Sequence, residues 1–140
     1  MKILRSIEAM AIVNPSLCKS KTIQVEIEQS NEGPIPHLHV YHDKTRSKSR
    51  CSYIRLDAPA YSEHHRSAGK KLPRKLKEEF IEVMETPWAK HVVQTAGGLR
   101  TATGYEASVG IWSETFEDNS LDKFNLDENG DLIMPDYTKL

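Results

Sequence analysis

Three stretches of this chain alternate apolar and polar residues with period two, and the short joins between them leave few ways to fold. In Thr22–Glu28, Ile23, Val25 and Ile27 fall on one face and Gln24, Glu26 and Glu28 on the other. In His37–His42, Leu38 and Val40 oppose His37, His39 and Tyr41. In Cys51–Asp57, Ile54 and Leu56 oppose Cys51, Tyr53 and Arg55. Side chains two apart share a face of a strand, so each stretch reads as a strand with one apolar and one polar face. The joins are the turn Ser30-Asn31-Glu32-Gly33-Pro34 and the polar run Asp43–Arg50. Joins this short connect antiparallel neighbours, because a parallel crossover needs a dozen residues or more. The opening segment, 2–13, mixes helix-favouring Ala, Met and Glu with Ile3, Ile7 and Val13, and is read as a further strand beside the meander.

The second half changes period. Leu76, Phe80, Val83 and Met84 make one helical stripe, bounded by Pro73 and Pro87, so a helix is expected over 73–85. Trp88 and Val92 continue the apolar surface, and Gly97-Gly98 breaks the chain. Thr103-Gly-Tyr-Glu106 has the form of a capping box, which predicts a second helix starting at Thr103. Its stripe would be Tyr105, Val109, Trp112 and Phe116, with Gly110 marking a close helix contact. Asn129-Gly130 then suggests a short hairpin, or else a loosely docked extension. The 140 residues therefore read as one α+β domain. Residues 1–57 are mostly strands in an antiparallel sheet of three or four, 58–120 are mostly helical with two amphipathic helices, and 121–140 form a hairpin or extended tail.

Charge divides the chain more sharply than structure does. The net charge is −1, yet residues 43–77 hold eleven basic and three acidic side chains, and residues 78–140 hold four basic and thirteen acidic. No apolar run approaches the roughly 18 residues of a membrane helix, and the N-terminal stretch, interrupted by Glu8, is a poor signal peptide. Cys18 and Cys51 lack metal-ligand spacing and read as lone thiols in a reducing cytosol. No cofactor motif is present: there is no P-loop, no dinucleotide fingerprint and no zincin motif. Asp127-x-Asn129-Gly130-Asp131 lacks the order and terminal Glu of a calcium loop and reads as a turn.

Two sets of residues carry candidate chemistry. His37 and His39 share a strand face about 7 Å apart, twice the strand rise. They fit a catalytic acid–base pair for phosphodiester cleavage, two ligands of a metal completed by Glu26 or His64, or two partly buried structural histidines. The second set is basic. Lys44, Arg46, Lys48 and Arg50 crowd one hairpin, and Lys70 and Lys71 precede the helix. Cations so spaced are candidate nucleic-acid-binding residues, since each one that neutralises a phosphate releases a counterion. The alternative for the 44–50 run is a solvated loop, with the basic middle pairing with the acidic C-terminal third within one chain or across a homodimer. Lys75 and Lys77 are expected to pair along the helix with Glu78, Glu79 and Glu82.

Pro36-His37-Leu38-His39-Val40, Leu72-Pro73-Arg74-Lys75 and Trp88 together resemble the pattern of a family of small bacterial proteins. These carry a domain of unknown function and are often paired with a short partner in toxin–antitoxin-like arrangements. The resemblance covers about residues 22–90, and the chain departs from the pattern at 43–50 and after Gly97. It implies a small strand–helix domain with a role in RNA-directed toxicity or its control, and it makes the H-x-H pair part of the motif without making either histidine catalytic. The expectation is a small cytoplasmic protein associated with RNA, either a toxin-type ribonuclease or an RNA-binding component. The competing expectation is a non-enzymatic module, antitoxin-like or an inhibitor from a phage or mobile element. It would meet a small protein partner through Glu114, Glu117, Asp118, Asp122, Asp127 and Glu128.

Overall fold

The computed structural model describes residues 2–3, 11–12, 22–27, 35–62, 69–115 and 121–140. The fold is α+β, with two antiparallel sheets and two main helices. The first sheet is the expected meander. Strands β2 (Ala11–Ile12), β3 (Gln24–Ile27), β4 (His37–Tyr41) and β5 (Cys51–Arg55) lie in that order. The register sets Glu26 opposite His39 and His39 opposite Tyr53. Ala11–Ile12 pairs with β3, so this part of the opening segment does lie beside the meander. β1 (Lys2–Ile3) instead joins a second sheet, in the order β1-β6-β7.

That second sheet is the main departure from expectation. The region between the two helices is a β-hairpin of β6 (Pro87–Thr95) and β7 (Gly98–Thr103), turned at Ala96-Gly97 with Thr95 opposite Gly98. Gly98 takes φ 112°, a conformation that costs glycine little. The pairing slips between Pro87 and Val92. The buried residues of β6 are therefore Trp88, His91 and Val93, which do not keep period two.

The helices form where the apolar stripe and the caps require. α1 (Arg74–Glu85) follows Pro73 and buries Leu76, Phe80, Val83 and Met84. α2 (Gly104–Thr115) begins on the capping box: Glu106 N donates to Thr103 Oγ1 at 3.2 Å, and Thr103 N donates to Glu106 Oε1 at 3.1 Å. α2 is buried on every side from Gly104 to Trp112 rather than along one stripe, as befits a helix running through the core. A close helix contact is made at Gly104. Its N–H donates to Thr86 O at 2.9 Å, and a Cβ there would lie 2.0 Å from Val83 O. Ile23, Val25, Leu38, Val40, Ile54 and Leu56 pack with the α1 stripe and α2 in one core.

The tail is firmly docked. A single antiparallel bridge joins Leu126 to Leu132 around the Asn129-Gly130 turn. Beyond it, Tyr137 is buried in a short 3-10 turn, packs edge-on against Phe80, and donates its hydroxyl to Arg55 O at 2.7 Å. Tyr105 from α2 does the same to Leu56 O at 2.7 Å. The end of β5 is thus held by two tyrosines from distant parts of the chain.

Candidate functional site

The face of the meander expected to be polar is covered. His37 and His39 are 1% and 4% exposed, and Glu26 opposite His39 is fully buried. Two elements close over these residues, and a third lies against Tyr53 beside them. Trp112 of α2 brings its ring centroid 5.6 Å from that of His37. Gly69 lies so close to β5 that a Cβ would meet Tyr53 N at 2.8 Å and Tyr53 Cδ2 at 2.9 Å. Arg46 reaches back from the 43–50 loop over Tyr41 and grips Glu26 with two hydrogen bonds, Nε to Oε2 at 2.6 Å and Nη2 to Oε1 at 2.9 Å.

The histidine pair is therefore an interior feature. The rings stack with centroids 5.3 Å apart, and His39 packs 4.7 Å from Tyr53. His37 Nδ1 donates to Ile35 O at 2.8 Å, which fixes the proton on that nitrogen because a carbonyl only accepts. An acid or base must come within hydrogen-bond reach of its substrate. Rings buried to this depth are not within reach of a phosphodiester at the surface. The burial is on the face opposite Leu38 and Val40, not against the α1 stripe. As for a metal, Glu26 is committed to Arg46 and to Gln24 Nε2 at 2.6 Å. His64 lies outside the described residues, and among the described residues no three His, Cys, Asp or Glu are grouped to hold an ion.

A second histidine contact was not legible in the sequence. His42 Nε2 and Ser52 Oγ share a buried hydrogen bond of 2.8 Å. Burial, then the charge of Arg50, holds the His42 imidazole below its ordinary range, against an opposing pull from Asp43. Ser52 is fully buried, so this is a structural pair and not an exposed nucleophile with its base.

The basic residues divide into committed and open cations. Arg46 is committed to Glu26. Arg50 pairs with Asp43 at 2.7 Å, and Lys44 Nζ donates to Ile23 O at 2.6 Å. Thr45 also donates its backbone N–H (2.9 Å) and its hydroxyl to Asp43 Oδ1. Among the described residues, the carboxylates that meet this loop include Glu26 of β3 and Asp43 of the loop itself. Lys48, Lys70 and Lys71 are exposed. Lys77, expected to pair along its helix, donates to Leu140 O at 2.6 Å instead.

The fold joins the two basic runs. Lys70 N donates to Cys51 O at 2.7 Å, laying residues 69–71 along the outer edge of β5 at its start. Lys48–Arg50 form the 3-10 turn that leads directly into Cys51. The rest of that edge is closed by Ser62 N to Tyr53 O at 2.8 Å and Arg55 N to Ala60 O at 3.0 Å. Lys48, Arg50, Lys70 and Lys71 therefore gather at one corner of the sheet, with Arg74 and Lys75 following on the exposed first turn of α1. Of the acidic candidates, Glu117 and Asp118 lie outside the described residues. Asp127 spends Oδ1 on the N–H groups of Asn129 and Asp131 at 2.8 and 2.9 Å. Glu114, Asp122 and Glu128 are exposed.

Comparison with protein families, with curated proteins and with solved structures finds no match for this chain. Among the described residues no helix is long and apolar enough to cross a membrane.

Proposed function

We propose that this protein binds nucleic acid through the corner formed by Lys48, Arg50, Lys70 and Lys71, and that His37 and His39 serve the fold and not catalysis. The observation that carries the reading is the Lys70 N to Cys51 O bond, which unites cations twenty residues apart in sequence. Clustered exposed cations gain affinity for a polyphosphate by releasing its counterions. Arg46 belongs to a different role: its guanidinium is held by a buried carboxylate and shapes the loop. An RNA-binding component of the toxin–antitoxin kind, as the family resemblance implies, fits these features better than a ribonuclease.

The test is titration of labelled RNA with the full chain and with a Lys48→Glu/Lys70→Glu/Lys71→Glu variant. Wild type should bind with a steep salt dependence, and the variant should lose that binding while keeping its thermal midpoint, since the three side chains are exposed. Equal binding by both proteins would refute the reading. RNA incubated with wild type should remain intact. Cleavage that disappears in a folded His39→Gln variant would restore the catalytic role.

A further inference from the structure

We infer that the nucleic acid held at this corner is a double helix, gripped by its phosphates without regard to base sequence; the inference rests on the nucleic-acid reading above. Proteins that hold single strands pair a cationic groove with open aromatic rings, and each stacked base contributes about 1–3 kcal/mol. The described surface has no such rings to offer. Tyr41 and Tyr53, the aromatics nearest the corner, are 3% and 8% exposed. Among the described Phe, Trp and Tyr residues only Tyr61 is not buried. It is packed against the core, and its hydroxyl accepts the Leu72 N–H at 3.0 Å.

Arginine planes are a second means of stacking on bases or reading guanine edges. In the loop both are occupied: Arg46 spans Glu26 beneath it and lies 5.3 Å from the Tyr41 ring centroid, and Arg50 is paired with Asp43. The other described cations at the corner, Lys48, Lys70 and Lys71, are point charges that attract phosphate without the planar fork that discriminates bases, and Arg74 lies beyond them on the first turn of α1. A surface of this kind responds to charge density. In B-form DNA, taken as the guide for a duplex, one phosphate stands per about 1.7 Å of axis, and each one neutralised contributes about 0.9 to the salt slope, against about 0.7 for a single strand. Three contacts, one each from the open cations Lys48, Lys70 and Lys71, give a duplex slope near about −2.7. That is about 40-fold weaker binding on raising salt from about 50 to 200 mM.

Fluorescence anisotropy with the full chain tests this on three probes: an RNA duplex of about two helical turns, one of its strands alone, and a duplex of scrambled sequence. The expected result is tighter binding to the duplex than to the strand, a slope of about −2.7, and affinities for the two duplexes within a factor of about two. A strand that binds as tightly as the duplex, or more tightly, overturns the inference and leaves the nucleic-acid reading standing. A difference of about tenfold or more between the duplexes overturns the claim of sequence independence, since one mismatched contact is worth about that much. No binding to any probe overturns the nucleic-acid reading itself.

Discussion

The grip of Arg46 on Glu26 is the most informative place to perturb this molecule. Glu26 has a side chain 1% exposed, and its two oxygens take two hydrogen bonds from Arg46 and one from Gln24. Arg46 is 40% exposed at its side chain, so part of its charge is screened by water. Removing one partner of a fully buried pair costs about 3–5 kcal/mol, because the other charge stays behind without compensation. With the guanidinium half in solvent, Arg46→Ala should cost about 2–3 kcal/mol. Glu26→Gln should cost less, since the neutral amide does not need a countercharge. The double variant should be clearly less damaged than the sum, by about 1–2 kcal/mol. The backbone adds a second readout. Arg46 sits at φ 57°, which disfavours any residue with a Cβ. Arg46→Gly should therefore be more stable than Arg46→Ala by about 1 kcal/mol, despite losing the same ion pair. Urea unfolding of the four variants gives all of these values, as shifts of about 1–2 M for the largest. A loss below about 0.5 kcal/mol for Arg46→Ala, in the range of a solvated surface pair, would refute the reasoning. So would additive effects in the double variant.

Three other outcomes follow from the same geometry. Gly104→Ala should fail to fold or lose well over 3 kcal/mol, since the new methyl would sit 2.0 Å from a backbone oxygen that cannot rotate away; circular dichroism of the purified variant against wild type checks this. Tyr137→Phe should cost about 1–2 kcal/mol for the lost bond to Arg55 O, and Tyr137→Ala about 3–5 kcal/mol for the ring as well, measured by denaturant titration. His42 favours its neutral form in the folded state, because burial and then Arg50 lower its affinity for a proton. The unfolded chain thus binds more protons as pH falls below the ordinary value of 6.5, and stability declines there by at most about 1.4 kcal/mol per pH unit from this group. The decline stops once pH is below the folded-state value. Unfolding midpoints at several pH values should show a shallower decline in His42→Gln than in wild type, and identical slopes would remove His42 as a contributor.

Much of the fold was legible because local rules and tertiary packing agree. The alternation of Ile23, Val25 and Ile27, of Leu38 and Val40, and of Ile54 and Leu56 became the core face of one sheet. Thr103 and Glu106 announced the start of α2. The β6–β7 hairpin was hidden by its own irregularity: the slip between Pro87 and Val92 moves burial from Trp88 to His91, and no period-two pattern survives. Its one clear signal was the glycine pair at the two-residue turn. The burial of the histidine face was not legible for another reason. Alternation separates the faces of a strand but does not say what covers the second one. Here the cover includes Arg46 and Trp112, one on a loop and the other distant in sequence. The meeting of Lys70 with Cys51 is likewise a matter of chain path, which no local pattern encodes.

That meeting has a consequence for how the surface can change. The bond to Cys51 O comes from the main-chain N–H of residue 70, so every side chain except proline can occupy the position. The neighbouring Gly69 is the opposite case, with Tyr53 and Cys51 already filling the space of a Cβ. Shape at this corner is thus assigned to the backbone and to one glycine, while charge is assigned to side chains that the fold does not consult. A lineage could exchange Lys70 and Lys71 for acidic or neutral residues, and so reverse the charge presented here, without renegotiating the architecture that presents it.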